Sequence, residues 1–177
     1  MRVISGRLGG RNFDSPQGHR THPMSEKVRG ALFNSLGDIE GLTLLDPFAG
    51  SGAFSIEAIS RGAKSATAID VDKNANNILK KNIESLKIID SIKPIRANAS
   101  AWSNRHQNEQ FDLVLCDPPY DDIQYKVIRK LTKHVKQGGI FTISLPGNHE
   151  NLTLDDFEIV KIKDFVDAQL VFYRRIS

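Results

Sequence analysis

From residue 42 onward, short β-rich apolar runs alternate with helix-patterned runs, and this alternation limits the possible folds more than any other feature. Residues 42–46 (LTLLD), 65–70 (SATAID), 92–97 and 111–116 (FDLVLC) read as buried strands. Helical patterns fill the gaps at about 53–61, 73–86 and 99–106, with Gly62 stopping the first of them. A further helix is expected across 122–135, then Gly138 and Gly139, then a strand over 140–145. Strand–helix alternation makes parallel strands joined by right-handed crossovers, a doubly wound α/β sheet. The last two β-rich runs, 157–163 and 168–175, are separated only by a short turn around Asp164 to Asp167. They imply an antiparallel hairpin at one edge of a seven-stranded, mostly parallel sheet.

A different kind of segment precedes the alternation. The first 20 residues read as short strands around Gly6, Gly9, Gly10 and Gly18, a hairpin-like arm without much core of its own. Ser25 is an N-cap candidate for a helix in which Val28, Ala31, Leu32 and Leu36 recur at helical spacing before Gly37. The expected organisation is a basic β arm over 1–22 and one domain over 23–177. Charge divides the same way: residues 1–30 hold six basic side chains against Asp14 and Glu26, while the whole chain nets only +3. A basic arm on a near-neutral body fits a polyanionic partner, or equally a solvated surface.

Composition excludes several classes. With 177 residues, 40% hydrophobic and 25% charged, the chain is of globular type and long enough to need no staple. No apolar run reaches the ~18–20 residues of a membrane span, and MRVISGRLGGRNF lacks a signal-peptide core. A cytoplasmic, membrane-free protein is expected. One cysteine, Cys116, excludes a disulfide framework, and no Cys/His cluster calls for a metal. No feature demands a partner subunit, so a monomer is expected.

In an open α/β sheet, ligands sit at the carboxyl ends of the strands, and three such ends carry unusual residues. The first is Asp46-Pro47-Phe48-Ala49-Gly50-Ser51-Gly52, where two glycines allow close approach of the backbone to a ligand. Its third fingerprint position is Ser55 rather than glycine, which suits a nucleoside ligand without a diphosphate. The second is Asp70, 20 residues beyond Gly50, spaced to accept both ribose hydroxyls; Asp72 competes for this role but also suits a helix cap. The third is Asp117-Pro118-Pro119-Tyr120, in which two prolines fix the chain direction after a buried strand. A carboxylate, aimed carbonyls and an aromatic ring then stand together at a strand end.

The order FAGSG, strand-terminal acid, DPPY resembles the Rossmann-like class I S-adenosylmethionine-dependent methyltransferases that act on exocyclic amines. RVISGRLGGRNF, followed by His19-Arg20-Thr21-His22-Pro23 and SEKVRGALFNSLG, is similar to the bacterial RsmD family of 16S rRNA guanine-N2 methyltransferases. The one departure is His22, inserted between Thr21 and Pro23 where the family reads Arg-Pro-Thr. The resemblance implies S-adenosylmethionine as cofactor, held at its methionine end by Asp46, Phe48, Ala49, Gly50, Ser51 and Gly52. It implies Asp70 on the ribose, Val71 beside the adenine, and Asn98 and Ala99 against the adenine ring. Asp117, Pro118, Pro119 and Tyr120 would form the catalytic loop. The implied partner is 16S rRNA within a small-subunit particle, with Arg2, Arg7, Arg11, His19 and Arg20 as RNA contacts. The rival activities are an N6-adenine methyltransferase of DNA or RNA, which the same tetrapeptide serves, and a non-catalytic RNA-binding assembly factor.

Other conspicuous residues take plainer roles. Cys116 and Trp102 are expected in the core. His106, His134 and His149 are expected at the surface, and Lys80-Lys81 on a solvated helix face.

Overall fold

The computed structural model describes residues 1–15 and 24–177. A helix α1 (Glu26–Leu36) leads into β1 (Thr43–Asp46), α2 (Ala53–Ser60), β2 (Ser65–Asp70), α3 (Lys73–Ser85), β3 (Ile92–Arg96) and α4 (Ala99–Arg105). Then come β4 (Phe111–Cys116), α5 (Tyr125–Leu131), β5 (Val135–Pro146), β6 (Phe157–Asp164) and β7 (Ala168–Arg175). The seven strands form one sheet in the order β3-β2-β1-β4-β5-β7-β6. The first five are mutually parallel, while β7 runs antiparallel to both β5 and β6. The doubly wound sheet with an antiparallel edge hairpin is therefore the fold.

Alternation along the strands splits the core into two layers. Leu44, Ala66, Ala68, Leu113, Leu115 and Phe172 face α1, α2 and α3 on one side. Leu45, Ile69, Val114, Phe141, Ile143 and Tyr173 face α4 and α5 on the other. Cys116 and Trp102 are buried in this second layer, as expected. Ser25 caps α1 by accepting from the Val28 amide, and Asp72 caps α3 by accepting from the Ala75 amide.

The arm folds back on itself. Arg2 and Asn12 form an antiparallel bridge, and the Met1 amine donates to the Phe13 carbonyl at 2.9 Å. Its apolar residues Val3, Leu8 and Phe13 join the α1–α3 side of the core. Polar groups of the body hold its backbone: Glu57 accepts from the Ile4 and Ser5 amides, and Ser60 from the Leu8 amide. Gly6 lies so close to α2 that a Cβ there would stand 1.9 Å from the Ser60 carbonyl oxygen.

Three expectations need correction. The helix expected across 122–135 is only α5 followed by a 3-10 turn over Thr132–His134. A turn bond from the Asp122 amide to the Pro119 carbonyl and the left-handed Gln124 (φ 54) delay its start. Strand β5 begins at Val135 rather than 140, because the chain passes Gly138 (φ 75) and Gly139 without leaving the sheet. The register against β4 shifts between Phe111 and Leu113 to absorb the extra residues. His134 is fully buried rather than exposed. It contacts the Glu109 carbonyl and the Ser103 hydroxyl, packs on Trp102, and burial keeps its imidazole below the usual range.

Candidate active site

Strands β1, β2 and β4 are adjacent, so their carboxyl ends bring the FAGSG loop, Asp70 and the DPPY segment to one edge of the sheet. The loop after β1 is strapped to the end of β2. The Ala49 amide donates to the Ile69 carbonyl at 2.9 Å, and the Gly50 amide to Asp70 Oδ2 at 2.8 Å. The other Asp70 oxygen accepts from the Asp72 amide at 2.8 Å. Gly52 opens α2 with φ 86, and a Cβ there would stand 2.4 Å from the Leu79 side chain. The left-handed backbone favours glycine here, and any side chain would also have to displace the end of Leu79. Phe48 packs against the second core layer and Ala49 is buried.

Asp46, at the end of β1, is buried and accepts from the Ser55 hydroxyl at 2.8 Å and its amide at 3.3 Å. The serine that breaks the glycine fingerprint thus satisfies the carboxyl of the preceding strand. Burial pushes Asp46 up to about 7 against those hydrogen bonds, and the nearby charges of Asp117 and Asp70 push the same way. Burial also raises Asp117 to about 6, with the Ser144 hydroxyl opposing the rise. Burial, with the charges of Asp46 and Asp117, holds the Cys116 thiol well above its usual range. None of the three carboxylates joins an ion pair among the described residues.

The DPPY segment leaves β4 with Pro118 buried and Pro119 and Tyr120 exposed. Tyr120 has 41% of its surface open, and its hydroxyl meets Ser144 Oγ on β5 at 2.6 Å. Sequence reasoning missed Ser144. Its only signal was a hydroxyl residue in the largely apolar run of β5, which it shares with Thr142, and both are buried.

The adenine-side positions are arranged unevenly. Val71 is 64% exposed directly after Asp70, an apolar surface at a strand end with no cover among the described residues. The Asn98 side chain caps α4, accepting from the Ser100 and Ala101 amides at 2.9 and 3.1 Å. Ala99 is buried as the first residue of α4.

The arm arginines divide. Arg2 pairs with Glu26 at 2.9 Å, and Arg11 donates to the Ser85 and Leu86 carbonyls at the end of α3. Arg7 is exposed with no side-chain partner among the described residues. His19 and Arg20, with the Thr21-His22-Pro23 stretch, lie outside the described residues.

Comparison with known proteins places this geometry in a family. A family model described as Conserved hypothetical protein 95 matches residues 1–174. Ribosomal RNA small subunit methyltransferase D of Buchnera aphidicola is 38% identical over 119 residues, 67% of this chain and 62% of that protein. The chain thus matches just under two thirds of that relative's length. The solved structure of yhhF from Escherichia coli superposes with a TM-score of 0.88 over 99% of this chain and 98% of that one, at 28% identity. The structure of SMU.776, complexed with SAH, shares the fold at a TM-score of 0.68 and 16% identity, covering 84% of this chain and 48% of that one. The match along nearly the whole chain and the named relative agree: this chain belongs to the family of ribosomal RNA small subunit methyltransferase D, the RsmD family.

Proposed function

We propose that the protein transfers a methyl group from S-adenosylmethionine to the exocyclic N2 of one guanine in 16S rRNA. The observation that carries this reading is the meeting of three carboxyls, Asp46, Asp70 and Asp117, at adjacent strand ends, two of them desolvated. Carboxyls raised by burial, and in Asp46 also by the charges of Asp117 and Asp70, with no ion-pair partner among the described residues, fit a ligand that brings its own positive charge. S-adenosylmethionine, when bound, supplies a methyl group on a positively charged sulfur.

The chain's own residues do the rest. Asp70 spends one lone pair of each oxygen on a backbone amide. A carboxylate has about four acceptor sites, so roughly two remain for the two ribose hydroxyls. The glycine loop holds the methionine end, and Val71 offers an apolar face to the adenine. The guanine amine is a poor nucleophile because its lone pair is delocalised into the ring. Asp117 and the Pro118 carbonyl accept its hydrogens and turn that lone pair out of the plane, while Tyr120 stacks on the extruded base. Alignment of this kind contributes on the order of 7–11 kcal/mol to such reactions. Asp117 need not be a strong base, since the alkylated amine sheds its proton readily. The cytoplasm, where ribosomal RNA is made and assembled, is the compartment that fits this substrate.

The test is mass spectrometry of ribosomal RNA nucleosides from cells with and without the protein. Loss of one N2-methylguanosine from 16S rRNA is expected. Loss of N6-methyladenosine would reassign the amine, and an unchanged nucleoside profile would leave only an RNA-binding role.

A further inference from the structure

We propose that Asn82 is a positioning residue that ties the N-terminal arm to the cofactor loop, so that the state of the arm and cofactor affinity are linked. The proposal rests on the reading of the FAGSG loop as the cofactor site. Asn82 lies on α3, outside every motif of the sequence, and is buried. Its side-chain amide donates to the Ser51 carbonyl, inside the loop, at 3.0 Å. The same amide donates to the Asp14 carbonyl at 2.9 Å, and its oxygen accepts from the Asp14 amide at 2.8 Å. One planar group therefore fixes the loop with one N–H and the end of the arm with the other two bonds.

A second contact joins the same two regions. Ser51 Oγ meets Met1 Sδ at 3.3 Å, and the Met1 amine is itself bonded to the Phe13 carbonyl. Both ends of the described arm thus converge on Ser51. Aspartate or leucine at position 82 would fit the space but not the bonding, because both of the Asn82 N–H groups face carbonyl oxygens. Leaving those carbonyls buried without a donor frees the loop from α3 and the arm from the loop. Linkage then works in both directions: a ligand that orders the loop tightens the arm, and whatever displaces the arm weakens the ligand by the same factor.

Amide hydrogen exchange on the intact protein, with and without S-adenosylhomocysteine, tests this without any substitution. The ligand is expected to slow exchange at the loop amides of Gly50 and Gly52 and also at the Asp14 amide. Slowing in the loop with none at Asp14 would overturn the coupling. Asn82→Ala is expected to weaken S-adenosylhomocysteine by about tenfold in calorimetry well below its Tm, within the usual span of coupled sites. It should also abolish the ligand's effect on the arm and speed ligand-free exchange at Gly50 and Gly52. A folded variant with affinity unchanged within about twofold would show Asn82 to be structural only. Should Asn82→Ala fail to fold, Asn82→Asp, which keeps the acceptor for the Asp14 amide and loses both donors, carries the same expectations. If the wild-type protein binds no S-adenosylhomocysteine, the cofactor reading falls, while ligand-free exchange in the variant still decides whether Asn82 joins loop and arm.

Discussion

Asp70 and Asp117 close the two strands that flank β1, yet they live in opposite chemical settings. Both are partly buried, but Asp70 is met by backbone amides from Gly50 and Asp72. For Asp117, burial outweighs the one hydroxyl that opposes it and raises the carboxyl to about 6. One carboxylate is oriented by amides and keeps some acceptor capacity; the other is starved of donors and therefore seeks one. The first arrangement suits grip on a ligand present in ground and transition states alike. The second suits an interaction made only when an amine arrives. Two acids at equivalent places in the sheet thus differ in their supply of N–H groups, and the proposed division of roles follows that difference.

The sharpest way to break this contrast is Asp117→Ala. Methyl transfer in single turnover should fall by about 10²–10⁴-fold while S-adenosylhomocysteine affinity stays nearly constant, since in the proposed mechanism Asp117 acts on the amine. Near-normal turnover would merge the two acids into one binding role. Asp70→Ala should do the reverse, weakening the cofactor by roughly 1.5–3 kcal/mol as charged hydrogen bonds to the ribose are lost. Unchanged calorimetric affinity in the folded variant would remove Asp70 from the site.

The pH dependence sharpens the same contrast. Asp117 must be ionised to accept from the amine, so the rate should climb with pH by up to about tenfold per unit and level off above its value of about 6. Asp117→Asn should flatten that limb. Stability should run the other way. Asp46 and Asp117 are raised above the ordinary 3.8, so the folded state binds their protons more tightly than the unfolded chain does. Their stabilising contribution is complete below about 3.8 and is lost as pH rises through about 6 and 7. Thermal melts should accordingly show Asp46→Asn gaining on the wild type at pH 8 relative to pH 4.

Smaller effects remain. Tyr120→Phe keeps the ring and loses the bond to Ser144, so it should cost less activity than Tyr120→Ala; equal losses would mean that the hydroxyl tether matters and the stacking does not. Arg7→Ala should reduce the salt slope of RNA binding by about one, as for a single phosphate contact. An unchanged slope would leave the arm as a scaffold rather than an RNA contact.

Much of this was legible along the chain, and the exceptions share a cause. Strands β2, β4 and β7 fall where the apolar runs stop against polar or glycine residues, since a buried strand cannot hide its ends. Asp46, Asp70 and Asp117 were legible because each is an acid terminating such a run. Asn82 and Ser144 were not, because an asparagine on an amphipathic helix and a serine in a strand look alike whether solvated or bonded. Their partners lie 31 and 24 residues away in sequence. His134 failed for the same reason: its burial is made by Trp102 and Ser103 from another helix. The start of β5 failed through glycine, where Gly138 and Gly139 read as a break but serve a bulge.

The arm's anchoring also has a meaning in time. Its first residues leave the ribosome before any of their partners exist, since Glu57 follows Ile4 by 53 residues and Asn82 follows Asp14 by 68. At about 5–20 residues per second, roughly 3–14 s of synthesis separate Asp14 from Asn82. Through that interval Val3, Leu8 and Phe13 have no core to enter, while Arg2, Arg7 and Arg11 carry positive charge beside them. The arm is thus made well before the α2 and α3 residues that hold it, and its anchors to Glu57, Ser60 and Asn82 can close only once those later residues have emerged.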